Sequence, residues 1–143
     1  MPGSRASVFG EAEDFHAALS AGGVAGLLVS GRGQFRARMT QVALEGIRLA
    51  AVEEQLARIA FVAVPAGIVV VAFQIDGGPS PVWGGTEIRR GEIIAFGPGQ
   101  RLHARTVGHR RRLAAACKHS LARLTSSWRL RQSESGPNSC VNI

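Results

Sequence analysis

The residues able to do chemistry are few and scattered. Four histidines, His16, His103, His109 and His119, never stand as an HxH pair. A metal centre needs three or four converging ligands, and an oxygenase-type site would set HxH and a carboxylate on one strand before a second His on another. No metal site is expected. Glu87 and Glu92 flank a turn with no partner acid in view, so they read as surface charges rather than an acid/base pair. There is no GxSxG, no Walker lysine loop and no HExxH. The stretch "GRGQFR" has two of the three glycines of a dinucleotide loop and leads into another strand, where nucleotide binding would require a helix. Cys117 and Cys140 belong to no CxxC pair and no Cys/His cluster, which argues against structural zinc and against a disulfide framework. The pattern points away from an enzyme and from any cofactor.

The elements that would have to position these residues follow a simple grammar. Residues 11–20, "EAEDFHAALS", carry acids in the first turn and Phe15 and Leu19 four apart, with "AGG" as a stop, which predicts one short helix. From Val24 onward, short apolar or alternating runs are separated by Gly, Pro and polar clusters. Strands are expected near 24–30, 34–44, 46–53, 57–64, 67–75, 82–89, 92–96 and 101–107, with turns at "SGRG", "PAG", "DGGPSP", "RRG" and "GPGQ". The stretch "EGIRLAAVEEQLARIA" also contains good helix formers, but Ile47, Leu49 and Ala51 alternate with Arg48, Ala50 and Val52. The expected fold is mainly β, a jelly-roll barrel or sandwich, because sheets this short are stable only with one face covered. Such a barrel encloses a cavity whose inward polar side chains meet a ligand. Arg36 and Arg38 share one face of a strand whose other face carries Phe35, Ala37 and Met39; with Trp83, Arg101 and His103 they form the candidate ligand-binding set. The competing reading of each arginine is a solvated face, and of Trp83 a core residue.

Length, composition and charge set the frame. At 143 residues, with 45% hydrophobic and 19% charged residues, the chain suits one domain with a real core. The longest apolar stretch, "IAFVAVPAGIVVVAF", is broken by Pro65 and Gly67, so no membrane span is expected, and no export signal opens the chain. The cytoplasm is the expected compartment. The formal net charge of +7 is unevenly placed. Residues 1–108 hold ten Arg against nine acids, whereas residues 109–143 hold six Arg and Lys118 against Glu134 alone. The organisation expected is an N-terminal segment at 1–23, a β domain at 24–108 and a basic tail at 109–143.

At "VWGGTEIRRGEIIAFGPGQRLHART" the chain resembles the amino-terminal, cupin-like sensor region of AraC-type transcriptional regulators. The segments "LLVSGRGQFRARMTQVALEGIRL" and "RIAFVAVPAGIVVVAF" extend the resemblance over residues 9–108. Gly91 opens a turn, Ile93, Ile94 and Phe96 are expected to fill the barrel, and Gly97, Pro98 and Gly99 make the next turn before His103. The segment is similar to the second cupin motif, G-x5-P-x-G-x2-H. It departs where Gly97 replaces Pro and Leu102 replaces the ligand His, with His103 one position late, as suits a sensor without a metal. The resemblance implies a module that binds a small-molecule effector, with a homodimer among the possible assemblies. The alternative class is a free-standing cupin-like enzyme or small-molecule-binding protein.

The same family places two helix-turn-helix units in its carboxyl-terminal region. The tail, "HRRRLAAACKHSLARLTSSWRLRQSESGPNSCVNI", has no room for them, so truncation or a frameshift after about residue 108 is one expectation. A second is a basic amphipathic helix over 109–131, with Leu113, Cys117, Leu121, Leu124 and Trp128 on one side. Its other side would carry Arg111, Arg112, Lys118, Arg123 and Arg129 as a non-specific nucleic-acid-binding set. A third is an ordinary helix packed on the barrel.

Overall fold

A computed structural model describes residues 3–75, 78–108, 110–118 and 139–142, the last two segments as backbone strands. The chain is mainly β, as its alternation predicts. One helix, α1 (Ala12–Ser20), follows the first strand, β1 (Gly3–Phe9). The next strands are β2 (Val24–Val29), β3 (Ala37–Leu44), β4 (Ile47–Glu54), β5 (Arg58–Ala63) and β6 (Ile68–Gln74). Then come β7 (Val82–Trp83), β8 (Thr86–Glu87), β9 (Glu92–Phe96), β10 (Arg101–Thr106), β11 (Arg110–Lys118) and β12 (Ser139–Asn142). They form two antiparallel sheets, of order β1-β3-β4-β11-β6-β9-β12 and β2-β5-β10-β7-β8. No helix among the described residues is long and apolar enough to cross a membrane.

The two sheets face each other across a shared core. Ala60, Val62, Trp83, Leu102 and Ala104 of the smaller sheet meet Val70, Ala72, Ile94 and Phe96 of the larger one. The period-2 rule assigns these residues inward; in β10, for example, Leu102, Ala104 and Thr106 are buried while Arg101, His103 and Arg105 are exposed. A second cluster forms where α1 lies over one end. Phe15 is fully buried among Ala37, Met39 and Val52, with Phe9 and Phe35 rings at 5.5 and 5.7 Å. His16 Nε2 lies 3.2 Å from the Val24 carbonyl and ties α1 to β2. The chain turns into β2 at Gly23, whose φ of +96° suits glycine, and a Cβ there would come within 2.6 Å of the Ala63 carbonyl oxygen. Gly23→Ala is expected to lower stability by about 1–3 kcal/mol, read as an earlier urea midpoint at unchanged slope.

Four features depart from expectation. Residues 3–9 form a strand paired with β3 along its whole length. The single strand expected over 82–89 is a tight hairpin: Trp83 pairs with Thr86 across Gly84 and Gly85, both at positive φ, which a type I′ turn requires. Ile93 is only half-buried, because it sits on the opposite face of β9 from Ile94 and Phe96. The helix expected over 109–131 is not formed at 110–118. There β11 lies between β4 and β6 and pairs with both, so main-chain pairing with two open edges overrides the helical preference of "RRRLAAACK". Residues 119–131 lie outside the described residues.

Candidate functional site

The inward faces of the two sheets line a cavity of about 110 Å³ that opens past exposed Ala21, Gly22 and Arg48. Met39 and Val52 of the larger sheet, Ala60, Val62 and Trp83 of the smaller one, and Leu19 of α1 form its apolar wall. Half-buried Gln41 and exposed Arg48 stand at its edge, and the guanidinium-bearing Arg58 closes the end beneath α1. Small strand residues leave this space, because Ala50, Ala60 and Ala104 all point into it. An engineered apolar cavity of roughly 150 Å³ takes a benzene ring, so the volume here corresponds to a small molecule.

Two polar features mark the wall. Among the described residues the indole N–H of Trp83 is buried without a hydrogen-bond partner, while its ring stacks on Phe96 at 5.7 Å and 22°. Buried donors are almost always satisfied, so an unpaired one calls for an acceptor that the described residues do not supply. Arg58, in contrast, is fully engaged. Its Nε donates to Glu54 Oε1 at 2.5 Å, its guanidinium lies 5.9 Å from the Phe15 ring centroid, and both members of the pair are buried. The hydroxyl of Thr106 lies 3.5 Å from the other Glu54 oxygen. Gln74 Nε2 donates to the Gly78 carbonyl at 3.4 Å. Glu54, Arg58 and Thr106, inward residues at the ends of three strands, thus build one buried network at this end of the sandwich, while Gln74 bonds to its own loop.

The structure divides the candidate ligand set. Trp83 faces the cavity. Arg36 and Arg38 are exposed on and beside β3, and Arg101 and His103 are exposed on β10, so their expected interior placement is corrected. The reason is parity. In each strand the alternate apolar residues take the inward positions, Ala37 and Met39 in β3 and Leu102 and Ala104 in β10. Gln41, Arg48 and Arg58, which the sequence reading did not select, are the charged or amide side chains that line the cavity, and Glu54 is the partner of Arg58. Their signal was present in the alternation: Arg58 and Glu54 share the faces of Ala60 and Val52. Among the nucleic-acid set, Arg111, Arg112 and Lys118 take positions in β11, while Arg123 and Arg129 lie outside the described residues.

Among the described residues lining the cavity there is no carboxylate, imidazole, thiol or hydroxyl, so no nucleophile and base stand together there. Glu92 caps its own turn by accepting the Arg89 amide at 2.8 Å, and Glu87 is exposed on β8. No three His, Cys, Asp or Glu side chains gather among the described residues.

No protein-family model matches the chain, and no curated protein does. Among solved structures it is similar to the AraC-like transcriptional activator CuxR, with a TM-score of 0.63 and 11% sequence identity over 81% of this chain. At that identity the likeness is one of fold. The matched region amounts to 47% of the activator, so the chain spans about half of that protein's length.

Proposed function

We propose that the chain is an effector-sensing module of an AraC-like transcriptional regulator, and that it holds a small, largely apolar molecule with one hydrogen-bond acceptor between its two sheets. The observation that carries the proposal is the buried indole N–H of Trp83, without a hydrogen-bond partner among the described residues, on a side chain that lines the apolar cavity. The wall's apolar area supplies affinity, and the indole supplies the single polar contact that orients the guest. The likeness in fold to a transcriptional activator supports the regulatory half of the reading. Among the described residues the cavity wall carries no nucleophile or carboxylate, which supports sensing over turnover.

Trp83 and Trp128 are the two tryptophans of the chain. In a Trp128→Phe background, titration with phenol and with small cyclic ketones is expected to change Trp83 emission saturably, with no product formed. Trp83→Phe keeps a ring over Phe96 and removes the donor. By calorimetry, affinity for the ligand that binds should fall roughly 5- to 150-fold, the equivalent of about 1–3 kcal/mol for a lost buried hydrogen bond. Turnover of a ligand, or unchanged affinity in Trp83→Phe, would replace this reading.

A further inference from the structure

We propose that the outer face of the smaller sheet carries a second, separate site: a groove for a planar aromatic anion, in which Phe61 and His103 take the ring and Arg101 takes the negative charge. β5 and β10 are neighbours, and their register sets His103 directly across from Phe61. The two rings meet edge to face with centroids 4.9 Å apart, and Phe61 is 41% exposed on the side away from the core. An aromatic ring held at a sheet surface beside an upright imidazole offers a flat face to another ring.

The neighbouring backbone makes room for the Phe61 ring itself. Gly26 sits across β5's other edge from Phe61 and lies under that ring, since a Cβ there would come within 3.1 Å of Phe61 Cδ2. On the far side the β7–β8 turn is Gly84 and Gly85, which with Ala25 leaves an open groove of about 620 Å³. Small-molecule sites typically measure about 300–1,000 Å³. The groove's charge is one-sided. Among the described residues Arg101 and His103 line it and no carboxylate does. Arg105 lies two positions further along the same face of β10, about 6.7 Å away along the strand. Neither arginine is held in an ion pair among the described residues. A free guanidinium beside an exposed ring selects a ligand that joins a planar system to a carboxylate or phosphate, because its fork takes the anion's two oxygens together.

The probes are adenosine 5′-monophosphate, adenosine and inorganic phosphate, titrated into the full chain while backbone amide shifts are followed. The monophosphate is expected to shift the amides of Phe61, His103, Gly84 and Gly85 saturably. Adenosine alone and phosphate alone should each bind at least about tenfold more weakly, since each offers half of the recognition. Arg101→Ala removes an exposed charge and should weaken the monophosphate about tenfold or more. Phe61→Leu keeps the apolar bulk, removes the ring face, and should do the same. Phosphate binding as well as the monophosphate would mark an adventitious ion only and overturn the proposal. So would equal affinity in Arg101→Ala, or shifts confined to the interior. Because the interior cavity is read at Trp83, failure on this outer face and failure of the sensing proposal are distinguishable.

Discussion

A chain ending at Gly108 is expected to lose cooperative unfolding altogether. β11 is the middle strand of the larger sheet, pairing eight of its residues with β4 and seven with β6. Without it those two strands face each other across a gap one strand wide, about 4.8 Å, and every main-chain group along both edges loses its partner. At about 1 kcal/mol net per backbone hydrogen bond, the two ladders amount to roughly the whole 5–15 kcal/mol by which a domain of this size is stable. The expected measurement is a urea curve without a sigmoidal transition, with aggregation through the exposed edges in light scattering. A truncated protein that stays monodisperse and melts cooperatively would show that β4 and β6 can close on each other and that β11 is dispensable.

Glu54→Ala is the single substitution expected to cost most, about 3–5 kcal/mol, because it strands the buried Arg58 guanidinium without its counter-ion. The same change frees the Thr106 hydroxyl from its acceptor. The reverse control is the double variant Glu54→Leu with Arg58→Met, which replaces both charges by apolar groups of similar bulk. It should recover most of the loss or exceed the parent's stability, since two charges no longer have to be desolvated. Urea midpoints of the two proteins decide the matter. Equal destabilisation in the single and double variants would mean that packing beneath Phe15, and not the charge pair, carries the cost. Because Arg58 borders the cavity, the double variant also reports whether the guest senses the guanidinium.

Much of the framework was legible along the chain. The helix at 12–20 and the strands β2 to β10 lie where acids in a first turn, alternation and Gly/Pro punctuation put them, with β7 and β8 forming a hairpin in the segment 82–89 where one strand was expected. "VWGGTE" contains its own correction, since two consecutive glycines between apolar residues are the composition of a type I′ turn. β1 was hidden because "GSRASVF" is a weakly apolar edge segment, and its pairing with β3 supplies what its composition does not. The site was legible only in part. Trp83 was selected for its size and type, whereas Arg36, Arg38, Arg101 and His103 were selected on the premise that they face inward.

What the sequence by itself determined is local: which stretches alternate, which residues share a face, and where the chain turns. These follow from the period of side chains along a strand and from backbone preferences of glycine, and both act within a few residues. Only the tertiary structure decided which face of each strand became interior, because that depends on the opposite sheet. It put Ala50, Ala60 and Ala104 around one space and left Phe61, Arg101 and His103 outside. It decided that "RRRLAAACK" would be a strand, because the hydrogen bonds that hold it belong to residues more than thirty-five positions earlier in the chain. It also decided that two charged residues could be buried: Glu54 and Arg58 are four positions apart, on successive strands of different sheets, and it is the sandwich around them that takes the pair out of water.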